Sequence, residues 1–272
     1  MHIDDYLHRI GLTQRPRADL AGLTAIHRAH MQSIAYENLD VQLGCAVTIE
    51  RAPILEKVVD RKRGGWCYEM NGTLNWALEE LGFRVTRATG AVMREMMGDA
   101  ATGNHLVLRV ELEEGTYLAD VGFGDGPLEP INLVEGEFIS NGFVYHLSRA
   151  DGDWWRLRNH PAGAAPSFDF NLERADETKF AARCASLQST ADSLFVLNLI
   201  CFRHRPNGFY ALLGRVLKDV RPYVASARTL ESADELVTVL ADKFGLDVPE
   251  AASLWPKICA RHEAIQAARQ AR

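Results

Sequence analysis

The sequence predicts an α+β fold in three parts, on three observations. The first third carries apolar residues at helical spacing. After Gly82 the pattern changes to short alternating runs separated by Gly, Asp and Asn. The final third returns to helical spacing after two further apolar runs. These shifts place boundaries near residues 84 and 190, giving predicted domains 1–84, 85–190 and 191–272.

The elements follow in order. DDYLHRIGL is read as a short helix with Tyr6, Ile10 and Leu12 on its apolar side. ADLAGLTAIHRAHMQSIAYEN forms a longer one, with Leu20, Leu23, Ile26, Met31 and Ile34 on one side. APILEKVVDRKR is a third, with Pro53 acceptable in its first turn. Trp66, Met70, Leu74, Leu78 and Leu81 trace a fourth, which Gly82 should end. RVTRATGAV, NHLVLRVEL, TYLADVGF, FVYHLSR and DWWRLRN read as strands of a small barrel or strongly curved sheet. A polar helix is expected from about Leu172 to Ser186. SLFVLNLICFRH and GFYALLGRVLK read as paired strands around Pro206-Asn207-Gly208, and SADELVTVLADKFGL and EAASLWPKICARHEAIQAARQ as closing helices.

Composition narrows the function classes. With 272 residues, 47% hydrophobic and 24% charged, the chain can bury a sizeable core. A net charge of −6 gives no support to nucleic-acid binding. An anionic ligand would need a local basic or amide-lined pocket. No apolar run is long enough to span a bilayer. The N-terminal MHIDDYLHRIG lacks the basic-then-apolar order of a signal peptide, so a cytoplasmic protein without membrane partners is expected. The five cysteines are odd in number and scattered, which reads as reduced thiols.

Two segments carry candidate chemistry. In RGGWCYEMN, Arg63 to Asn71, two glycines permit a tight turn and close backbone approach. Cys67 follows at a predicted helix start, where unpaired N–H groups and the helix dipole favour a thiolate. The alternative is a small packing residue. HLVLRVELEEGTYLADVGFG, His105 to Gly124, reads as a hairpin. If Glu113 and Glu114 make a two-residue loop, Leu112 faces Gly115 and Val107 faces Asp120. His105 and Asp120 then lie on one face as diagonal neighbours. A shift of one residue would separate them, leaving a strand-end histidine and a turn cap. Together Cys67, His105 and Asp120 supply a nucleophile, a base and an orienting carboxylate in a papain-like layout.

These segments resemble the two signature regions of the arylamine N-acetyltransferases. AYENLDV, Ala35 to Val41, resembles that family's N-terminal motif, and YLHRIGL and CASLQSTADSLFVLNL also fit. The resemblance covers nearly the whole chain. It implies a helical first domain, a β-barrel second domain and an α/β third domain or lid. It implies acetyl-CoA as acetyl donor and small aromatic amines as acceptors, with Cys67 acetylated, His105 activating it and Asp120 orienting His105. Arg63 and Glu37 match positions that support the site. The glycine-rich loop Gly122 to Gly126 matches one that contributes to the CoA pocket, and Thr102, Gly103, Phe123, Gly124 and Gly126 are the candidate CoA contacts. The same motifs fit an amide synthase of this fold, and the triad alone is shared with transglutaminase-like hydrolases. A silent binding module on the same scaffold is the reading from another class.

Weaker features complete the reading. Met93, Met96 and Met97 could form an adaptable pocket wall or simply pack. Cys201 and His204 have metal-like spacing without a second ligand pair, so no metal is expected. Trp154 and Trp155 read as structural strand aromatics, and the C-terminal Lys and Arg residues as a solvated helix face.

Overall fold

The computed structural model describes residues 1–270. The last two positions of the third predicted domain, 271–272, lie outside the described residues.

Helix α1 (Ile3–Arg9) precedes α2 (Leu20–Ser33), whose cap is Asp19 accepting the Gly22 N–H at 2.8 Å. The run expected to continue this helix instead turns at Ile34 into strand β1 (Tyr36–Glu37) and the short α3 (Leu39–Gln42). Helix α4 (Arg51–Leu55) widens into a π turn over Glu56–Asp60. Helix α5 (Cys67–Glu80) ends at Leu81, and Gly82 takes a φ of +84°, the left-handed stop expected there.

Strands β2 (Arg84–Val92), β3 (His105–Leu112), β4 (Gly115–Ala119), β5 (Ile131–Asn132), β6 (Gly136–Ser140), β7 (Phe143–Arg149), β8 (Trp154–Arg158) and β9 (Ser167–Arg174) form one antiparallel sheet. Its order is β5-β4-β3-β2-β9-β8-β7-β6, so its end strands are β5 and β6. Between β2 and β3 lie α6 (Arg94–Met97) and a 3₁₀ turn, Gly98–Ala101.

Strand β9 corrects the sequence reading. The polar helix expected from Leu172 starts only at Glu177, because Leu172 to Arg174 still belong to the strand. That helix, α7 (Glu177–Ser189), begins where the Asp176 carboxylate accepts the Thr178 and Lys179 N–H groups.

SLFVLNLICFRH is likewise divided. Ser193 caps a short helix, α8 (Leu194–Leu197), before strand β10 (Ile200–Arg205). GFYALLGRVLK is two strands, β11 (Gly208–Leu213) and the start of β12 (Val216–Arg221), since Gly214 turns at a φ of +58°. With β13 (Val224–Thr229) they form a five-stranded sheet ordered β1-β10-β11-β12-β13. Helix α9 (Ala233–Val239), a π turn (Leu240–Phe244), a 3₁₀ turn (Pro249–Leu254) and α10 (Trp255–Gln270) close the chain.

Two apolar clusters result. The larger joins α1, α2 and α5 to the eight-stranded sheet through Tyr6, Leu23, Ile26, Leu74, Leu78, Leu106 and Leu108. The smaller packs Leu212 and Leu217 of the five-stranded sheet against Leu236, Leu240 and Ile258. Among the described residues no helix is long and apolar enough to cross a membrane. All five cysteines are free.

Candidate active site

Cys67 is the first residue of α5, and the chain leading to it is held by close backbone contact. A Cβ on Gly64 would lie 1.9 Å from the Ala35 carbonyl oxygen, and one on Gly65 2.6 Å from Glu69 Cβ. Neither glycine has a positive φ, so they serve close approach and not a left-handed turn. The Glu37 N–H donates to Gly65 O at 2.9 Å, fastening this approach to β1.

Behind the helix start lies a buried group of charges. Glu69 Oε2 accepts the Trp66 N–H at 3.2 Å, while Lys57 Nζ donates to Glu69 Oε1 and pairs with Asp40 Oδ2, both at 2.8 Å. Arg63 Nη2 bridges Glu37 Oε1 at 3.1 Å and Asp40 Oδ1 at 3.0 Å. Burial pushes the Glu69 carboxyl up; Lys57 opposes this, Glu37 and Asp40 add to it, and the result is about 7. Arg63 and Glu37, read from sequence as supports, thus sit in this group and not beside the thiol.

The β3–β4 hairpin has the register read from sequence. Leu112 pairs with Gly115 and Leu108 with Ala119, which continues to Val107 opposite Asp120. His105 Nε2–H donates to Asp120 Oδ2 at 2.7 Å. Nδ1 of the ring is left free of Asp120, and Cys67 is near enough to add to the upward push on the ring. Burial works against charge on His105, but the Asp120 carboxylate and Cys67 push its ring up to about 10. Burial alone would raise the Asp120 carboxyl; His105, Asn71 and the Gly122 N–H overcome it and hold the group below the usual carboxylate range.

Two residues without an assigned role in the sequence reading, Asn71 and His27, complete this arrangement together with Gly122 of the glycine-rich loop. Asn71 lies four residues after Cys67, on the same helix face. Its Nδ2 donates to Asp120 Oδ1 at 2.8 Å and Leu106 O at 2.6 Å, and its Oδ1 accepts the Val121 N–H at 2.9 Å. His27 Nδ1 donates to Leu128 O at 2.9 Å, so its Nε2 accepts the Asp120 N–H at 3.1 Å; burial holds this ring below the usual imidazole range. Gly122 runs so close that a Cβ would lie 2.7 Å from Cys67 Cα. An i, i+4 Cys-Asn pair on a predicted helix could have flagged Asn71. Nothing local marks His27.

The thiol opens onto a cleft of about 670 Å³. Tyr36, Phe202 and Leu213 line it beside Cys67 and His105, as do Met93, Met97 and Ala100. Met96 is exposed and does not. Of the candidate CoA contacts, Phe123 lines the cleft, edge-on to His105 with ring centroids 6.0 Å apart. Thr102, Gly103, Gly124 and Gly126 lie outside the lining. Gly124 has a φ of +89°, and a Cβ there would meet Phe202 at 2.8 Å; a Cβ on Gly126 would meet Phe123 at 3.3 Å. These glycines hold the loop's shape against aromatic rings.

Arg183, Arg215 and Arg261 also line the cleft, a local basic lining in an acidic chain. Arg261 corrects the solvated-face reading of α10: it faces the cleft and donates to Asn198 Oδ1 at 3.0 Å. Cys201 and His204 are buried in different places, Cys201 in the smaller apolar cluster and His204 against Phe209. Residues three apart on a strand face opposite sides. Among the described residues, no group of three or more His, Cys, Asp or Glu side chains could hold a metal ion.

Comparison with known proteins places the chain in a family. The profile of an N-acetyltransferase family matches residues 19–253. The arylamine N-acetyltransferase of Mycolicibacterium smegmatis is 35% identical over 259 residues, 93% of this chain and 94% of that protein. A pineal-gland arylamine N-acetyltransferase isozyme of Gallus gallus is 33% identical over 275 residues, 90% of this chain and 94% of its own. The solved M. smegmatis arylamine N-acetyltransferase superposes with a TM-score of 0.86 at 35% identity, covering 95% of this chain and 97% of that one. The Mycobacterium marinum enzyme in complex with CoA gives 0.85 at 29% identity, covering 96% and 98%. With the profile spanning most of the chain and these relatives matching it nearly end to end, the chain belongs to the arylamine N-acetyltransferase family.

Proposed function

We propose that this protein transfers an acetyl group from acetyl-CoA to an aromatic amine through a thioester on Cys67. One observation carries the reading: a cysteine at a helix start shares a buried site with a histidine bonded to a carboxylate, at the floor of an open cleft. The CoA complex of the M. marinum relative supports CoA as the carrier. The arginines lining the cleft suit its phosphates.

The Cys67 thiolate, paired with the His105 imidazolium, attacks the acetyl carbonyl. The Cys67 N–H is free of the intrahelical ladder at the helix start and can donate to the oxyanion. The carbon–sulfur bond to CoA breaks, and CoA leaves as a thiol with the proton from His105. The amine nitrogen then attacks acetyl-Cys67. His105 takes the amine proton, the amide departs and the thiolate is restored. Asp120 keeps Nε2 protonated throughout, leaving Nδ1 to exchange protons. Hydrazines and arylhydroxylamines are further acceptors of suitable nucleophilicity.

The test is acetyl-CoA without amine, quenched in acid after a single turnover. Intact mass should rise by one acetyl group, mapped to Cys67, and an arylamine should discharge it as the amide. Initial-rate lines at several amine concentrations should be parallel. Cys67→Ser should take up no acetyl group with unchanged circular dichroism, and Asp120→Asn should lose about 10²- to 10⁴-fold in rate. Intersecting lines with no acetyl-Cys67 would overturn the thioester route. Acylation only by a carrier-linked chain would point to an amide synthase.

A further inference from the structure

The wall of the cleft formed by Met93, Met97 and Ala100 is held by polar contacts and not by apolar burial: the Met93 N–H donates to Ser167 O at 3.0 Å and Arg183 Nη2 to Ala100 O at 2.8 Å. Helix α6 buries no residue, and the 3₁₀ turn after it buries only Ala101. A four-residue helix has little stability of its own. Met93 holds a left-handed φ of 61°, a conformation unfavourable for a side chain of this kind.

Among the side chains that hold the segment, Arg94 ties it to the most partners. The Arg94 guanidinium donates to both Asp151 oxygens at 2.7 and 2.9 Å, to Asp99 Oδ1 at 3.2 Å and to Asp169 Oδ2 at 3.3 Å. It also lies 4.5 Å over the Trp154 ring. These partners come from the segment itself, the β7–β8 turn, β9 and β8. Arg94 is only 10% exposed, and it does not line the cleft. Next to it, Arg156 and Arg158 hold Glu95 at 3.0 and 2.8 Å.

We propose that Arg94 is a positioning residue that fixes the methionine wall and thereby sets the size of aromatic group that reaches Cys67. For the reaction this rests on the acyl-transfer reading above: the aromatic group is then the amine attacking acetyl-Cys67. Methionine side chains adapt to what they touch. The backbone under Met93 and Met97 therefore decides how far the wall stands from the thiol. The same segment leads through Asn104, whose carbonyl lies 3.8 Å from Cys67 Sγ, into His105.

The test uses Arg94→Met, which keeps the stem and removes the fork. Asp169 retains Arg156 at 2.7 and 2.8 Å, so no buried carboxylate is stranded. Two ratios are measured on the full chain. The first is the rate of Cys67 alkylation by iodoacetamide against a naphthyl-bearing iodoacetamide, which needs no acyl transfer. The second is kcat/KM for aniline against 2-aminoanthracene. Both ratios should shift at least about fivefold, the second through KM, while single-turnover acetylation of Cys67 stays within about twofold. Arg94→Lys should shift them less, because an ammonium keeps the charge without the planar fork. On a Met97→Ala background the Arg94→Met effect should shrink, as coupled residues require.

Both ratios within twofold of the unaltered protein would overturn the proposal. If Arg94→Met unfolds, the Arg94→Lys ratios decide by the same twofold limit. A shifted alkylation ratio in a protein that never forms acetyl-Cys67 would leave the wall's anchor standing and remove the acyl-transfer reading.

Discussion

Two sets of ion pairs frame the cleft, one behind Cys67 and one on Arg94, and they differ in their access to water. Lys57 and Glu69 are 4% and 5% exposed, whereas the Arg94 partners Asp99 and Asp151 are 89% and 72% exposed. In the first set every charge has lost hydration and depends on its neighbours. In the second, most carboxylates keep water if Arg94 leaves. The buried set holds the backbone from which the thiol projects. The rim set holds a wall whose displacement changes the cleft without dismantling it. The difference teaches that charge supports this cleft in two ways, by fixing the fold and by shaping the opening.

The largest effect should come from breaking the buried set. Lys57→Met strands Glu69 and leaves Asp40 to Arg63 alone, and should cost about 3–5 kcal/mol. Urea unfolding measures it, and a loss below about 1 kcal/mol would erase the distinction between the two sets.

Glu69→Gln sharpens the comparison through pH. A carboxyl raised on folding, from a usual value near 4.5 to about 7, keeps its proton in the native state after the unfolded chain has released it. Its contribution to stability is complete below about 4.5 and is lost as pH rises through about 7. Glutamine does not titrate. The melting temperature of Glu69→Gln should therefore gain on the unaltered protein between pH 5 and pH 8. A constant difference over that range would show that Glu69 does not carry this burial cost.

The smallest effect belongs to the rim. Arg158 is 50% exposed where it meets Glu95, and Arg156 remains on that carboxylate. Arg158→Ala should cost below about 1 kcal/mol by urea unfolding. A loss matching that of Lys57→Met would show that exposure does not separate the two sets.

Legibility in the sequence followed the range of the contacts. The hairpin brought His105 and Asp120 together, and a Gly-Gly turn and a helix start singled out Cys67, because these are local features; the resemblance joined the three. The β3–β4 register needed only the loop at Glu113-Glu114. Strand β9 was missed because its partners β2 and β8 lie on opposite sides of a long excursion, and its polar end, Glu173-Arg174, runs straight into a helix. Asn71 sat inside a quoted motif, but its role depends on strand ends that reach it only in the folded chain. His27 contacts Asp120 across 93 positions, and Arg94 meets Asp151 and Asp169 across 57 and 75. No periodicity encodes such meetings. The arginines lining the cleft were invisible for the same reason: they come from α7, the β11–β12 turn and α10, which share no local pattern.

Helix α10 gives the cleft a chronology. Ile258, Arg261, His262 and Ile265 form part of its lining, and they leave the ribosome after every other residue that does so. Cys67, His105 and Asp120 are all synthesised at least 138 positions ahead of Ile258. During translation the thiol and its partners can therefore assemble while one side of the cleft is still unmade. A nascent chain stalled before α10 should be alkylated at Cys67 by a bulky thiol reagent faster than the full chain is. Among the elements that line the cleft, α10 is a wall added after the room is furnished.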